Sequence, residues 1–300
     1  VSAPPASSGK AASLPAVSVV IPAYNEEAGI AASVRDVSRV LSEAGVDFEL
    51  LVVDDGSQDR TAEIAEAEGA TLVRVPENRG YGAALKAGIR RARHDAIVIT
   101  DADGTYPAEA IPELLADLRS YDMVVGERTG AEVAIATARG PARWFLRKLA
   151  SYLAGRPIPD LNSGLRAMRR DLVGRFEHLL PEGFSFTTTI TLAALCSGHL
   201  VRYRPIEYHP RLGDSKIRPT HAIDFLLLIV RTIVFFSPLK VFLPLGAVFF
   251  VGGFAKFVYD LFIGNFSETA LLGFLGAALL WAVGLLSDQI ARVGLGLRSG

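Results

Sequence analysis

Apolar residues in the first half of the chain come in short blocks separated by runs of helical period. Val17-Ser18-Val19-Val20-Ile21 is almost continuously apolar and is closed by Pro22, the pattern of a strand buried on both faces. Ile30, Val34, Val37 and Leu41 then recur at helical spacing, predicting a helix from Glu26 to about Ala44. The alternation continues with strands at Phe48–Val53, Thr71–Val75, Ala96–Thr100 and Met123–Val125. Helices are expected at about Asp59–Glu68, at Gly82–Arg93 and again after Asp103. Strands and helices alternating at these lengths predict an α/β fold: a mostly parallel sheet with helices on both faces. Ligands of such sheets sit at the carboxyl ends of the strands.

The last third reads differently. Between Val241 and Ser287 only Lys256, Asp260 and Glu268 are charged. Two apolar stretches, about Leu239–Ile263 and Thr269–Leu286, are each long enough to cross a hydrocarbon core of roughly 30 Å, with the loop Gly264–Glu268 between them. Lys256 is the awkward residue, expected to snorkel or to face the partner helix. Arg218, Arg231 and Lys240 precede the pair, Arg292 and Arg298 follow it, and the connecting loop has no basic residue. The positive-inside rule then puts both ends of the hairpin in the cytoplasm. The bland alternative is a helical hairpin buried in a soluble protein. Phe225, Leu228, Ile229, Thr232 and Phe236 form one stripe before the first span, which suits either a helix in the membrane interface or a continuation of the span. Residues 1–15 are mostly Ala, Ser, Pro and Gly, lack the apolar core of a signal peptide and are expected to be a disordered tail. The expected division is this tail, a domain over 16–222, an interfacial helix over 223–238, and a two-helix transmembrane hairpin with a short tail over 239–300.

Composition narrows the class. Half of the 300 residues are apolar and 21% are charged, too apolar for an ordinary soluble protein and for disorder over most of the chain. Lys and Arg number 31 against 32 Asp and Glu, which argues against nucleic-acid binding driven by overall charge. The balance hides a split. Residues 1–138 carry 12 basic against 22 acidic side chains, a net of −10, and residues 139–218 carry 14 against 6, a net of +8. An acidic part can hold a metal, and a basic part can meet phosphates or an anionic lipid surface. The single cysteine, Cys196, excludes an intramolecular disulfide and any multi-cysteine metal site.

Three segments at predicted strand ends can carry chemistry. Asp101-Ala102-Asp103 places two carboxylates two residues apart as the chain leaves a buried strand, a pairing that suits Mg²⁺ or Mn²⁺. Asp54-Asp55-Gly56-Ser57 and Pro22-Ala23-Tyr24-Asn25-Glu26-Glu27 end two other strands. Each alone also reads as a polar turn or a helix entry, with Ser57 or Asp59 as a cap. Together they are far more specific. Arg143, Arg147 and Lys148 fall on one face of an expected helix, with Ser151 on much the same side, as a phosphate-binding or a solvated or lipid-facing surface. Arg166, Arg169 and Arg170 read as surface residues. His178, His199, His209 and His221 lack metal spacing, Thr187-Thr188-Thr189 reads as packing more than substrate contact, and Gly80-Tyr81-Gly82 with Gly88 has the wrong spacing for a dinucleotide fingerprint.

With these residues in place, the chain from about Val17 to Lys216 resembles the family 2 glycosyltransferases of GT-A fold. Within them it is similar to the dolichol-phosphate mannose synthase and polyprenyl-phosphate glycosyltransferase group, including bacterial members with a membrane hairpin. The resemblance implies that Pro22, Tyr24 and Glu26 form a first nucleotide-binding motif, and that Val53 and Asp55 hold base and ribose. It implies that Asp101, Ala102 and Asp103 form the metal and diphosphate motif, with Asp101 and Asp103 as ligands of Mg²⁺ or Mn²⁺. It makes Arg128 the arginine that follows the fifth strand. Asp160-Leu161-Asn162-Ser163-Gly164 resembles the family's Asp-x-x-Ser-Gly segment. Arg211 and Lys216 match a late basic loop that meets donor and lipid phosphates, and Arg147 and Ser151 are implied at the acceptor phosphate. Thr105 stands where mannose synthases often carry a metal-binding Gln, and the late loop is one residue shorter here. Processive members carry Gln-x-x-Arg-Trp; Arg143-Trp144 has Gly140 at the Gln position, which argues against a polymer synthase.

The implied activity is inverting, metal-dependent transfer of a sugar from a UDP- or GDP-sugar to a polyprenyl phosphate at the cytoplasmic membrane face. Asp103, Asp101 and Arg128 would carry the catalysis. Partners are the nucleotide sugar, the lipid phosphate and the membrane, with a homo-oligomer left open. The alternatives are transfer to a hydroxyl of a lipid-linked glycan, which needs a carboxylate base for which Asp160 is the obvious candidate, and a non-catalytic membrane subunit that retains the fold.

Overall fold

The computed structural model describes residues 13–129, 141–183, 185–209, 221–264 and 267–296. Along the chain run β1 (Val17–Ala23), α1 (Ile30–Glu43), β2 (Phe48–Asp55), α2 (Thr61–Ala67), β3 (Thr71–Val75), α3 (Tyr81–Arg91), β4 (Ala96–Ile99), α4 (Ile111–Asp117) and β5 (Met123–Thr129). They are followed by α5 (Pro141–Ala154), β6 (Arg166–Arg169), α6 (Arg170–Phe176), α7 (Phe186–Cys196), β7 (Val201–Glu207), α8 (His221–Phe236), α9 (Leu239–Ile263) and α10 (Glu268–Gly296). Two compact units result, one of residues 1–136, 162–187 and 200–215, the other of 137–161, 188–199 and 216–300.

The first unit is built on a seven-stranded sheet in the order β3-β2-β1-β4-β6-β5-β7. Neighbouring strands are parallel except at β6, which runs antiparallel to β4 and to β5. The predicted mostly parallel α/β sheet is thus present. β1 lies between β2 and β4, and all seven of its residues are buried, which is why it reads as an apolar run without alternation. α1 covers the sheet with Ile30, Val34, Val37 and Leu41, the residues of its sequence period. It starts later than the Glu26 expected from the sequence, because 26–29 form a turn in which Gly29 and Ile30 both donate to the Glu26 carbonyl. Ala23 pairs with Asp54 and Val20 with Ile99, so the chain leaves β1, β2 and β4 at one edge of the sheet.

In the second unit, α9 and the Glu268–Val293 part of α10 are long and apolar enough to cross a membrane, at 25 and 26 residues with mean hydropathies of 2.0 and 2.1. They pack through small residues: a Cβ added at Gly273 would stand 2.6 Å from the Gly253 Cα, and one at Gly246 2.3 Å from the Trp281 indole nitrogen. Close backbone approach through small residues is how apolar helices associate where burial of apolar surface gives no advantage. Large apolar side chains such as Val248, Phe262 and Leu271 point outward. Lys256 pairs with buried Asp260 one turn on, and the second Asp260 oxygen accepts from the Ser267 amide (3.0 Å) and hydroxyl (2.6 Å). That clasp closes the inter-helix turn and gives Lys256 its partner. α8 stops at Phe236, and α9 begins only after Ser237-Pro238, so the stripe before the first span is a separate helix. α10 outlasts the apolar stretch that ends at Leu286; an Arg292–Asp288 ion pair at i,i+4 supports its polar extension.

Candidate functional site

The loops after β1 and β2 are laced together by short polar side chains. Asn25 adopts a left-handed backbone (φ 52°), a conformation that Asn tolerates better than most residues. Its amide donates to Ser57 Oγ at 3.0 Å and its side-chain oxygen accepts from the Gln58 amide at 2.8 Å. The Glu26 amide donates to Thr61 Oγ1 and the Glu27 amide to Asp59 Oδ2. Asp59 also accepts from the Thr61 amide. Burial acts to raise its pKa, but the bonds donated by Thr61 and the Glu27 amide outweigh it and lower the value. The two motifs are therefore one structural unit. Pro22 and Val53 are register partners and both buried, while Tyr24 and Glu26 are half-buried at the rim.

Asp54 and Asp55 differ in what they hold. Asp54 Oδ1 accepts from the Ser57 amide at 3.0 Å and closes its own turn. Asp55 accepts from the Arg79 amide (3.0 Å) and the Gly80 amide (2.7 Å), which fixes the entry to α3. Gly80 there has φ 100°, and Gly82 has no room for a side chain, since a Cβ would lie 2.2 Å from the Pro181 carbonyl oxygen. The glycines flanking Tyr81 thus serve a close backbone approach.

At the end of β4, Ala102 is buried and its carbonyl accepts from Ser33 Oγ on α1 at 2.9 Å. Asp103 is 6% exposed, and its Oδ1 accepts from the Thr105 amide (3.1 Å) and from the fully buried Thr105 hydroxyl (2.6 Å). Asp101 Oδ1 accepts the phenol proton of Tyr81 at 3.0 Å. The Asp101 carboxylate also lies against Gly164, where a Cβ would meet its two oxygens at 2.8 and 2.9 Å. The Gly164 amide in turn donates to the Tyr106 hydroxyl at 2.6 Å. Burial, then the Asp101 charge, pushes the Tyr81 and Tyr106 phenols well above the usual tyrosine range, so both stay protonated.

The far side of the site comes from β5, β6 and β7. The Arg128 guanidinium sits 5.4 Å from the Tyr208 ring centroid, and Tyr208 meets Tyr106 edge-on with centroids 5.2 Å apart. The His209 amide donates to the Thr105 carbonyl at 2.9 Å, tying the end of β7 to the acidic loop. Arg166 corrects the surface reading. It is fully buried on β6, with Nη2 and Nε donating to the Ser163 carbonyl (2.6 and 3.2 Å) and Nη1 to the Thr187 carbonyl (3.1 Å). A strand of sequence Arg-Ala-Met-Arg carries no strand pattern, so neither β6 nor its buried guanidinium is legible from periodicity. Periodicity does not single out Tyr81 or Tyr106 as site residues, and Gly164 enters only through the Asp160–Gly164 segment; the glycines around Tyr81 are the available signal.

The structure therefore gathers Asp55, Asp101, Ala102, Asp103, Arg128 and the Tyr24–Glu26 turn in the first unit. Arg147 and Ser151 lie on α5 of the second unit, where Ser151 Oγ donates to the Arg147 carbonyl (2.8 Å) and accepts from the Ile158 amide (3.0 Å). Arg147 itself donates to the Pro159 carbonyl. Arg211 and Lys216 lie outside the described residues. Among the described residues no group of three or more His, Cys, Asp or Glu side chains could cage a metal. Two carboxylates on one short turn fit instead a hard divalent cation that keeps water or takes phosphate oxygens.

Comparisons with known proteins bear on family and fold. The family model described as Glycosyl transferase family 2 matches residues 18–176, and the GtrB C-terminal hairpin model matches residues 237–293. A dolichyl-phosphate hexose transferase of Haloferax volcanii is 36% identical over 206 residues, which cover 68% of this chain and 87% of that protein. A low-salt glycan biosynthesis hexosyltransferase of the same organism is 34% identical over 210 residues, 68% of this chain and 50% of its own length, so the match spans about half of that relative. Among solved structures, glucosyl-3-phosphoglycerate synthase from Mycobacterium tuberculosis, in complex with Mn²⁺, UDP and phosphoglyceric acid, superposes with a TM-score of 0.59 at 24% identity. The match covers 73% of this chain and 78% of that one, and shares the fold.

Proposed function

Because this chain belongs to glycosyl transferase family 2, we propose that it moves a hexose from a nucleoside diphosphate sugar to a polyprenyl phosphate of dolichyl type at the cytoplasmic face of a membrane. One observation carries the reading. A chain in which β4 is followed by Asp101 and Asp103, with Arg128 at the end of β5, continues into a matched GtrB C-terminal hairpin, and a relative of 36% identity is named a dolichyl-phosphate hexose transferase.

A phosphate acceptor is already anionic near neutral pH, so its oxygen needs no strong general base. That oxygen attacks the anomeric carbon in line, the bond from that carbon to the nucleoside diphosphate breaks, and its electron pair leaves on the diphosphate, inverting the centre. The chain's task is to receive that departing charge and to bring two anions together. Asp103 and Asp101 would hold Mg²⁺ or Mn²⁺, whose chemistry when bound is to neutralise the diphosphate. Arg128 adds positive charge to the leaving group. Tyr24, Glu26 and Asp55, on the buried floor of Pro22 and Val53, orient the nucleoside. The acceptor phosphate is assigned to basic and hydroxyl groups at Arg147, Ser151, Arg211 and Lys216. α9 and α10 would cross the bilayer with both ends cytoplasmic, and α8 would lie in the interface.

The test is a panel of UDP- and GDP-sugars assayed with the full chain, one polyprenyl phosphate and Mg²⁺ or Mn²⁺. Formation of a polyprenyl-phosphate sugar is the expected product. Transfer only to a lipid-linked glycan, or none with any donor, would overturn the proposal.

A further inference from the structure

The two acidic residues at the end of β4 are held in different ways, and the grip on Asp101 is the less expected. Its carboxylate is bounded from two sides by segments distant in sequence. Tyr81, the first residue of α3, donates its phenol proton to Asp101 Oδ1 at 3.0 Å. On another side stands Gly164, the residue that leads into β6, so close that both carboxylate oxygens lie within 2.9 Å of where a Cβ would be.

Neither side is loose. Asp55 anchors the start of α3 through the Arg79 and Gly80 amides, and the Ala83 amide donates to the Glu182 carbonyl at 2.9 Å. The Gly164 side is fixed by the Tyr106 hydroxyl on its amide and by the fully buried Arg166 guanidinium on the neighbouring Ser163 carbonyl. A carboxylate that must meet a cation in one orientation is served by such support, because a hydrogen bond to a charged group in a partly desolvated place selects one rotamer.

We propose that Tyr81 is a positioning residue for Asp101: its phenol and the bare Gly164 backbone set the orientation in which the Asp101 carboxylate receives a divalent cation with a nucleoside diphosphate. The assignment rests on the family 2 reading of the acidic pair. It concerns binding, so it is separable from which sugar or lipid is used. The role assigned to Tyr81 is exerted through its hydrogen bond to Asp101.

The test uses the full chain in detergent or nanodiscs and follows Mn²⁺ uptake by calorimetry and by electron paramagnetic resonance, with UDP and with GDP in parallel. Tyr81→Phe keeps the ring and removes the donor. Its Mn²⁺ affinity in the nucleotide complex should fall about tenfold, the effect of losing one hydrogen bond to a charged group, with nucleotide affinity in the absence of metal unchanged. Gly164→Ala approaches the same carboxylate from the other side and should weaken Mn²⁺ uptake by a similar factor, so the proposal does not depend on one variant folding. Wild-type uptake of Mn²⁺ with undiminished affinity in both variants would overturn the role of Tyr81 and leave the family 2 reading standing. No Mn²⁺ uptake by the wild type with either nucleotide would overturn both.

Discussion

The Thr105 hydroxyl donates to Asp103 Oδ1 at 2.6 Å while the Thr105 amide donates to the same oxygen at 3.1 Å. The Thr105 side chain, which the family resemblance sets at the position of a metal-binding Gln in mannose synthases, is fully buried and is directed at the carboxylate beside it. A short hydroxyl two residues on cannot reach as far as a Gln side chain, but it can hold Asp103 in one rotamer.

Thr105→Val preserves shape and removes that donor. The expected result is a fall of about tenfold in kcat/KM, equivalent to roughly 1.4 kcal/mol, the size of one buried hydrogen bond to a charged group. Thr105→Ser should recover most of it. Steady-state kinetics at several Mn²⁺ concentrations make the comparison.

Asp103→Ala removes a carboxylate from the acidic turn. Transfer should drop by about two to three orders of magnitude, as when a preorganised electrostatic group is deleted, while membrane insertion is unchanged. Radiolabelled sugar transfer and flotation of vesicles carrying the variant measure the two properties separately, and normal turnover would remove the metal assignment.

The hairpin depends on close approach. Gly273→Val places atoms where the Gly253 Cα stands, 2.6 Å from the added Cβ, and should destabilise the α9–α10 pair by about 1–3 kcal/mol. Gly252→Ala, with nothing within 4 Å of its added Cβ, should not. Thermal denaturation in matched detergent compares the two variants.

Cys196 supplies a pH test. Burial raises its thiol pKa, against a smaller opposing effect of Lys240. A raised pKa keeps the reactive thiolate scarce until the pH passes above the usual thiol range. Alkylation by iodoacetamide at pH 8 should therefore be slower than for free cysteine and should keep rising with pH after free cysteine has levelled off. Because Cys196 is the chain's single cysteine, the total rate reports it directly.

The strands β1, β2 and β4 and the helix α1 were legible from residue order alone, because each strand buries a continuous run and α1 buries one face at its own period. The acidic turns at strand ends were legible for the same reason: a buried strand whose end is marked by Asp55, or by Asp101 two residues on, advertises where it stops. The pair of apolar helices showed itself through length and lack of charge, whereas the partner of Lys256, Asp260 one turn on, came only with the structure. What periodicity could not carry is how distant segments meet. β6 is four residues with an arginine at each end, and only its insertion between β4 and β5 buries Arg166 and brings Gly164 against Asp101. Tyr81 gained its meaning in the same way: its hydrogen bond to Asp101, twenty residues on, depends on where the sheet sets the two segments, and a residue's period says nothing about that.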